Sequence, residues 1–335
     1  MRAYGFKSNG GPEVLEEIQV PTPAPGPGQV LIEVAYAGVN FAEVQHRRGE
    51  FGEPDGPGGY DVPGLEVSGT VAALGTGATG PAVGEEVAAY LPAFGGYAEF
   101  AVADAEFVRP ASGLPLAHAA GVPCVYPTAY GVLTDAGRLR EGESVLIHAA
   151  AGGVGSAAAR IARALGAAHV FGTVGSPGKT ELATALGYDA LFPREGSADA
   201  VRETTAGHGV DLVLDPVGGP VRRASLDVLA PFGRVVVYGD LGLHQDWTAD
   251  AWDLWKNNRS IAGYNIGDVA RRSPATIGEH LSRALSLLAS GALPYAPPTV
   301  IPWTEVAETH RLFEAGATSG KTVLDIAGHA ERSPA

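Results

Sequence analysis

A glycine-rich stretch near the middle of the sequence has the residue types that bind phosphate groups through the backbone. Residues 144–156 read SVLIHAAAGGVGS, which is a short apolar strand, a turn of small residues and the start of an alanine-rich helix. Ala150, Gly152 and Gly155 occupy the three small-residue positions of the dinucleotide-binding fingerprint. The middle glycine lets a pyrophosphate approach the backbone, and the helix N-terminus offers it free N–H groups. The alternative is an ordinary strand-to-helix turn, because glycine supplies 47 of the 335 residues.

The end of the following strand favours NADPH over NADH. In a site that prefers NADH, an acidic residue lies about 20 residues beyond the glycine turn and binds the ribose 2′-hydroxyl. Here residues 171–176 read FGTVGS and carry no carboxylate, while Lys179 and Arg194 follow. Hydroxyl groups with cations nearby suit a 2′-phosphate. The alternative is that Lys179 and Arg194 are solvated surface residues, as most lysines and arginines are.

Two further strand ends could contribute to the same site. Residues 215–218 read DPVG and residues 238–240 read YGD, and each follows an apolar run. Ligands of open α/β sheets bind at the carboxyl ends of the strands. Asp, Pro and Gly are also the usual turn residues, so a turn without a ligand is the alternative for both.

The elements that position these residues follow changes of pattern along the chain. Residues 1 to about 122 form short apolar runs between Gly and Pro, which predicts a β-rich domain. Residues 123–267 alternate strand and helix, which predicts an α/β domain with a doubly wound parallel sheet. The remaining segment is too short for a core of its own, so we expect it to pack on the first domain, with a tail from Gly328.

Particular elements are predicted in each region. The strands are 30–34, 67–74, 86–89 and 97–102, then 144–148, 169–173, 212–215, 234–238 and 260–264, and finally 322–326. The helices are 155–165, 178–186 and 222–229, followed by 277–290 and 305–315.

Composition limits the function further. A length of 335 residues fits about two domains. A net charge of −14 without basic runs argues against nucleic acid and anionic membrane surfaces as partners. No apolar stretch approaches the roughly 20 residues of a membrane span, and the N-terminus lacks a hydrophobic signal core. The single cysteine, Cys124, excludes an internal disulfide and a four-cysteine zinc site. These features are typical of a cytoplasmic protein.

Four spaced motifs resemble one enzyme family. They are GVNFAE at 38–43, HAAAGGVG at 148–155, GTVGS at 172–176 and DPVGG at 215–219. Together they resemble the medium-chain dehydrogenase/reductase superfamily and, within it, the zinc-free quinone oxidoreductases of the ζ-crystallin type. Residues 171–173, 215–219 and 238–239, with the tryptophan-rich segment after them, are most similar to the branch of the vesicle amine transport protein 1 homologues. The resemblance implies a GroES-like catalytic domain at 1–122 and 268–335, a Rossmann NADPH-binding domain at 123–267, and a homodimer.

The same resemblance bears on metal binding. Zinc-dependent members carry Cys where Asn40 stands, and Gly-His-Glu where this chain has Gly64, Leu65 and Glu66. Leucine cannot bind zinc, so we expect no metal; His46 and His118 lack partners at ligand spacing. Without a Lewis acid, hydride from NADPH needs a carbon that conjugation already activates, as in a quinone or an α,β-unsaturated carbonyl compound.

Three functions fit this chemistry. The first is an NADPH-dependent reductase of quinones or activated double bonds. The second is an enoyl reductase of one biosynthetic pathway, for example of a polyketide intermediate. The third, of another class, is an NADPH-binding structural or interaction protein with little turnover.

The resemblance also implies the site residues. The positions matching the family's cofactor contacts are Asn40, Thr128, Gly152, Gly153, Val154, Gly172, Thr173, Ser176, Lys179, Arg194, Tyr238, Gly239 and Lys321. Gln45 and Arg194 stand where bacterial quinone reductases often have tyrosine, and Glu43 replaces the more familiar Asp. On the nicotinamide side the candidates are Asn40, Gln45 and Thr128, and no catalytic acid is singled out among Tyr60, Tyr126, Tyr130 and His46.

Three of the four tryptophans lie within residues 247–255. Trp252 and Trp255 are three positions apart and would share one face of a helix. They could line a pocket for a flat substrate, but core or dimer contacts are the favoured interpretation. The family usually forms dimers through edge strands of the Rossmann domain, which here would be residues 260–264.

Overall fold

The computed structural model of the chain describes residues 1–241 and 247–328, and it divides into two compact units. The first unit comprises Met1–Pro127 and the chain from Gly267 onward, and the second comprises Thr128–Ile266. Apart from Gly328, the predicted C-terminal tail lies outside the described residues.

The secondary structure comprises strands, α-helices and short 3₁₀ turns. The strands are β1 (Arg2–Gly5), β2 (Glu16–Gln19), β3 (Gln29–Val39), β4 (Glu66–Leu74), β5 (Glu86–Tyr90), β6 (Phe100–Asp104), β7 (Val108–Pro110), β8 (Ser144–Ile147), β9 (His169–Val174), β10 (Ala190–Pro193), β11 (Val210–Asp215), β12 (Leu229–Val237), β13 (Ser260–Gly263), β14 (Thr299–Pro302) and β15 (Thr322–Asp325). The α-helices are α1 (Phe41–Arg47), α2 (Leu116–Ala119), α3 (Val125–Leu133), α4 (Gly153–Ala164), α5 (Ala183–Leu186), α6 (Ser197–Thr204), α7 (Gly219–Asp227), α8 (Ala251–Asn257), α9 (Ile266–Arg272), α10 (Pro274–Ala289) and α11 (Val306–Glu314). The 3₁₀ turns occur at Pro12–Val14, Pro57–Gly59, Ala105–Phe107, Pro177–Leu182 and Trp303–Glu305.

The second unit is built on a parallel sheet with strand order β10-β9-β8-β11-β12-β13. The five strands predicted between residues 144 and 264 are confirmed as β8, β9, β11, β12 and β13. Apolar residues on these strands, including Leu146, Phe171, Val213 and Val235, form its buried core. Burial on both faces explains why the strands read as continuous apolar runs. Because all the strands are parallel, their carboxyl ends meet at one edge.

The first unit is β-rich. Its main sheet has the order β14-β15-β3-β4-β5-β7, with β6 paired to β3, and a separate two-stranded sheet joins β1 and β2. The C-terminal strand β15 pairs antiparallel with β3, which places Thr322 opposite Val39. This pairing carries the preceding residue, Lys321, to the end of β3. The predicted α/β fold class, with one β-rich domain and one parallel-sheet domain, is confirmed.

Several local expectations need correction. The helix predicted at 178–186 is a 3₁₀ turn at Pro177–Leu182 followed by the single turn α5. The sequence pattern missed α3 and the edge strand β10, because neither shows the clear periodicity of its neighbours. The helices predicted at 277–290 and 305–315 are confirmed as α10 and α11.

The helices also bear on membrane insertion. Over the two described ranges, none of them combines the length and the apolar character needed to cross a bilayer.

Candidate functional site

The glycine turn after β8 has the close packing that the fingerprint requires. A Cβ atom on Gly155 would lie 2.6 Å from the Ala149 carbonyl oxygen, so only glycine lets α4 pack this close to the turn. A Cβ atom on Gly152 would meet only the Ala149 oxygen, at 3.2 Å. Gly152 is therefore much less constrained by packing than Gly155, and its open side suits the approach of a ligand.

Helix α4 begins directly behind this turn. Its N-cap is Gly152, which has extended backbone angles and no side chain to cap the helix. The first-turn N–H groups, which include those of Gly153 and Val154, are the ones that a helix leaves without intrahelical partners. A helix of 12 residues with an uncapped N-terminus at the carboxyl edge of a parallel sheet can bind an anion.

Two cationic side chains lie beyond the end of β9. The Arg194 N–H donates to the Val174 carbonyl oxygen at 2.8 Å, which fixes Arg194 beside the strand end. A Cβ atom on Gly175 would lie 3.3 Å from Arg194 Nη2, so the guanidinium packs against that backbone. Burial, and then the positive charge of Arg194, lowers the pKa of Lys179. The buried Nε of Arg194 has no hydrogen-bond partner among the described residues. Two like charges with an unsatisfied donor form a site that an anion would stabilise.

The predicted contacts Gly172, Thr173 and Ser176 differ in exposure. Thr173 is fully buried, and its hydroxyl bonds to His148 rather than facing solvent. Gly172 is also buried, and a Cβ atom there would lie 2.6 Å from the Ala150 Cβ, so this glycine lets β9 pack against the turn. Ser176 is exposed beside the cation pair. Of the three, Ser176 is the one whose side chain can reach a ligand.

The end of β11 is held by a buried ion pair that the sequence analysis missed. Asp215 Oδ1 accepts hydrogen bonds from the Val217 and Gly218 N–H groups, and Oδ2 accepts one from Arg222 Nε at 2.8 Å. Arg222 also donates to the Gly239 carbonyl oxygen, 2.8 Å away. The Asp215 side chain therefore shapes its own turn. The signal in the sequence was an arginine seven residues after the aspartate, on the helix that follows.

Tyr238 and Gly239 follow β12 and are half-buried. A Cβ atom on Gly239 would lie 3.3 Å from the Pro216 Cβ, so this strand end packs against the turn after β11. Both residues therefore lie at the carboxyl edge of the sheet, the same edge as the glycine turn.

In the first unit, a closed polar network surrounds Asn40, the residue between β3 and α1. Its backbone N–H donates to Glu43 Oε2 at 2.7 Å, and its side-chain amide donates to Glu43 and Glu66. Glu66 Oε2 accepts the Cys124 N–H at 2.7 Å, and Glu43 Oε1 accepts the Leu65 N–H at 2.9 Å. Both carboxylates are fully buried. The network joins three chain segments that are distant in the sequence.

Lys321 supplies the positive charge of this network. Its Nζ donates to the Val39 carbonyl oxygen and to Asn40 Oδ1, each at 2.7 Å, and forms an ion pair with Glu66 at 2.5 Å. The three N–H groups of the ammonium thus have three acceptors. A direct cofactor contact by Lys321 would require one of these bonds to break, so the geometry favours a positioning role. Burial raises the pKa of Glu43 to about 7, against the opposing charge of Lys321.

The donor set of this network does not fit a transition metal. Asn40 and Leu65, the two positions that the resemblance compares with zinc ligands, offer neither a thiolate nor an imidazole. The Glu66 carboxylate already binds the Lys321 ammonium. Across the residues that the structure describes, no group of three or more His, Cys, Asp or Glu side chains could hold a metal ion.

The remaining candidates on the nicotinamide side and the possible proton donors are spread over several elements. Gln45, on α1, donates to Glu50 at 2.5 Å, and Thr128 is buried on α3. Tyr126 and Tyr130 are buried on the same helix. None of these contacts assigns a proton donor.

Tyr60 and His46 have partners inside the first unit. Tyr60 donates to Glu16 at 3.0 Å, and His46 bonds to Asp61 at 2.8 Å and stacks on Phe94. These contacts give both side chains a local structural role. Among the described residues, neither side chain bonds to the network around Asn40.

Trp252 and Trp255 are more exposed than the sequence predicts. Trp252 and Trp255 share one face of α8, as predicted, with ring centroids 4.6 Å apart. They are 66% and 68% exposed, so the core interpretation is wrong. The residues just before Trp247 in the same segment lie outside the described residues.

Two family models match the chain. Residues 26–113 match the alcohol dehydrogenase GroES-like domain, and residues 153–286 match a family described as zinc-binding dehydrogenase. Among curated relatives, the chain is 33% identical over 331 residues to a mycocerosic acid synthase-like polyketide synthase of Mycobacterium tuberculosis. That match covers 98% of this chain, whereas the chain spans only 15% of the length of that relative.

Solved structures match over nearly the whole chain. A quinone oxidoreductase of Pseudomonas syringae is 31% identical, with a TM-score of 0.87 and coverage of 97% of this chain and 99% of that one. The Escherichia coli quinone oxidoreductase complexed with NADPH is 27% identical, with a TM-score of 0.87 and coverage of 97% and 100%. The human synaptic vesicle membrane protein VAT-1 homolog-like protein is 29% identical, with a TM-score of 0.86 and coverage of 100% and 99%. The CurK enoyl reductase is 28% identical, with a TM-score of 0.84 and coverage of 97% and 98%.

Proposed function

The chain belongs to the zinc-free quinone oxidoreductase family of the medium-chain dehydrogenase/reductase superfamily, and from this we propose that it is an NADPH-dependent reductase. Its substrates would be quinones or carbon–carbon double bonds conjugated to a carbonyl group. The similar quinone oxidoreductase of Escherichia coli binds NADPH, which supports the choice of cofactor.

One observation carries the proposal: the pair of Lys179 and Arg194 beside the end of β9. A buried guanidinium Nε without a partner among the described residues and a lysine of lowered pKa form a site that an anion would complete. A 2′-phosphate distinguishes NADPH from NADH, and it would supply that anion. The end of β9 carries no carboxylate to hold a ribose 2′-hydroxyl instead.

Different residues of the second unit would bind the two phosphate-bearing parts of NADPH. The open side of Gly152 and the first-turn N–H groups of Gly153 and Val154 would hold the pyrophosphate. Ser176, Lys179 and Arg194 would hold the 2′-phosphate. NADPH supplies a hydride when it is bound, and the proton that completes the reduction could come from solvent.

The second candidate is an enoyl reductase of one pathway. The specific observation in its favour is 33% identity over 331 residues to part of a polyketide synthase, together with the similarity to the CurK enoyl reductase. Both candidates use the same cofactor residues, so only the selectivity among acceptors distinguishes them.

The test is NADPH oxidation, with NADH in parallel, against benzoquinones, simple enones and a 2-enoyl thioester of N-acetylcysteamine, with identification of the products. Broad turnover of quinones would support a general reductase, and turnover confined to the thioester would support the pathway enzyme. Binding of NADPH without turnover on any acceptor would leave two options: a substrate outside this panel, or an NADPH-binding structural protein without a catalytic role. Failure to bind NADPH would overturn the cofactor assignment itself. The homodimer and the cytoplasmic location stay predictions.

A further inference from the structure

His148 is the first residue of the glycine turn, and its side chain lies beneath the turn. The imidazole is 2% exposed. Its Nδ1 lies 2.7 Å from the Thr173 hydroxyl on β9, and its Nε2 lies 2.9 Å from the Ser225 hydroxyl on α7. One ring therefore links the end of β8 to the end of β9 and to the helix after β11.

The directions of these hydrogen bonds follow from the remaining partners. The Ser225 hydroxyl donates to the Val221 carbonyl oxygen at 2.8 Å, so it accepts from His148 Nε2–H. Nδ1 is then an acceptor, and the Thr173 hydroxyl donates to it. With the opposite tautomer, the fully buried Thr173 hydroxyl would have no acceptor among the described residues, which is costly. With Nε2 protonated, the donors of all three side chains, Thr173, His148 and Ser225, have an acceptor.

The ring also stays neutral. Burial lowers the pKa of His148 to about 4, and although Asp215 raises it, Arg194 lowers it again. A neutral ring keeps one acceptor and one donor at fixed positions. Thr173 is thereby held by its side chain.

Thr173 is directly connected to the cation pair. Its carbonyl oxygen accepts the Ala150 N–H at 3.0 Å, which ties it to the glycine turn. The next residue, Val174, accepts the Arg194 N–H at 2.8 Å, and Gly175 packs against the Arg194 guanidinium. A shift of Thr173 would therefore move both the turn and Arg194.

We propose that His148, as its neutral Nε2–H tautomer, is the positioning residue of the 2′-phosphate site, acting through the Thr173 hydroxyl. This inference rests on the proposed function, because it assumes that Lys179 and Arg194 bind the cofactor phosphate. It assigns Thr173 an indirect role: its hydroxyl proton goes to His148, so it orients the site and does not donate to the ligand.

The tautomer can be observed directly. The chain has nine histidines, so a sample labelled with ¹⁵N in its histidines is compared with the His148→Asn variant to assign the His148 signals. We expect a protonated Nε2 and an unprotonated Nδ1 that do not change between pH 5 and pH 8. A protonated Nδ1, or a titration within this range, would overturn the inference without any measurement of affinity.

Two substitutions of His148 separate its two hydrogen bonds. The side-chain oxygen of Asn lies near the position of Nδ1 and still accepts from Thr173, whereas the side-chain nitrogen of Gln lies near Nε2 and preserves only the bond to Ser225. The probe is 2′,5′-ADP, measured by calorimetry on the full chain well below the melting temperature of each variant. We expect His148→Gln and Thr173→Val to weaken binding about fivefold to tenfold, the effect of one buried hydrogen bond, and His148→Asn to stay within about twofold of the parent.

A purely structural role of His148 predicts a different pattern. Both His148 variants would then lower the melting temperature and leave the affinity for 2′,5′-ADP unchanged. Thr309→Val is the matched control, because Thr309 is a buried threonine of the first unit whose hydroxyl bonds to a carbonyl oxygen. Equal losses for His148→Asn and His148→Gln would contradict the inference, whereas a parent chain that does not bind 2′,5′-ADP would contradict the proposed function instead.

Discussion

At the scale of single residues, the cation pair explains how this chain would choose its cofactor. Lys179 and Arg194 repel each other, and this repulsion contributes to the lowered pKa of Lys179. A bound phosphate would turn the repulsion into two attractive contacts. The electrostatic energy of the two cations is therefore lower with a bound anion than without one. This is typical of a binding site rather than of a structural contact.

Substitution of Lys179 by Ala should weaken NADPH binding by roughly tenfold to a hundredfold, because a charge-assisted contact to the 2′-phosphate is lost. The affinity for NADH should stay the same, since NADH has no phosphate at that position. Fluorescence titration of both nucleotides measures the difference. Lys256→Ala is the control, because Lys256 is an exposed lysine of the same unit. Equal weakening of NADPH and NADH would remove Lys179 from the 2′-phosphate site.

Gly152→Val should remove cofactor binding while the chain still folds. The backbone angles of Gly152 are those of an extended residue, and a Cβ atom there meets only the Ala149 oxygen. The valine side chain would instead fill the space where the pyrophosphate approaches.

In contrast, Gly155→Ala should lower the free energy of unfolding by about 1–3 kcal/mol, because its Cβ atom overlaps the turn. Calorimetric titration and thermal melting test both, and unchanged affinity in a folded Gly152→Val variant would overturn the assignment of the turn.

At the scale of elements, the junction of β3 and α1 is held by the charges of three distant segments. Asn40, Glu43, Glu66 and Lys321 form one closed network, in which the ammonium bonds to the end of β3. Such a junction is rigid only when each buried charge is paired. Its position at the strand end, with Asn40 at the centre, gives the first unit a fixed polar site.

Glu43 should make the stability of this junction depend on pH. Its pKa of about 7 in the folded chain lies above the ordinary value of 4.5. The folded chain therefore binds an extra proton between these values, and this contribution to stability is complete below about pH 4.5 and lost as the pH rises through about 7. The free energy of unfolding of the parent should fall between pH 5 and pH 8. In Glu43→Gln, which cannot ionise at this position, the fall should be smaller by about 1–3 kcal/mol.

Urea denaturation at several pH values measures this difference. Glu53→Gln, at an exposed position, is the control for the loss of one carboxylate. If Glu43→Gln and the parent lose stability equally over this pH range, Glu43 is ionised throughout and the raised pKa is wrong.

The second unit was more predictable than the polar networks. Its strands are buried on both faces and read as apolar runs, so their order and type follow from local pattern. The glycine turn after β8 was predictable for the same reason, because its spacing is local. Arg222 and Lys321 were different: their roles depend on partners such as Gly239 and Asn40, which are distant in sequence. No local pattern encodes such a pairing: the resemblance implies that Lys321 contacts the cofactor, but its ion pair with Glu66 is visible only in the fold.

At the scale of the whole molecule, the aromatic pair Trp252 and Trp255 on α8 is exposed to solvent in the single chain, which is unfavourable for large apolar side chains. Trp252 and Trp255 lie just before β13, which is an edge strand of the parallel sheet. Exposed aromatic rings and an unpaired strand edge both favour association with another chain. Because the net charge of −14 makes two copies repel each other, apolar contacts would have to outweigh that repulsion.

We therefore expect a homodimer that uses this surface. Replacing both Trp252 and Trp255 by Ala should raise the dimer dissociation constant by at least about tenfold, since buried tryptophans contribute strongly to interfaces. Sedimentation velocity over a range of concentrations measures this, with Phe51→Ala as the control, because Phe51 is an exposed aromatic residue of the first unit. A parent chain that is monomeric, or a double variant that dimerises as tightly, would contradict the expectation.

The pairing of β15 with β3 has a consequence for how the chain is made. The second unit is complete once residue 266 has been synthesised, so it can fold on the ribosome while the first unit still lacks its last two strands. Lys321 follows its partner Val39 by 282 positions, and until it emerges the buried carboxylate of Glu66 lacks the ammonium group with which it pairs in the described structure. The first unit should therefore fold late and slowly, as its high contact order implies. Nascent chains that stop before residue 321 should expose a protease-sensitive first unit beside a resistant second one.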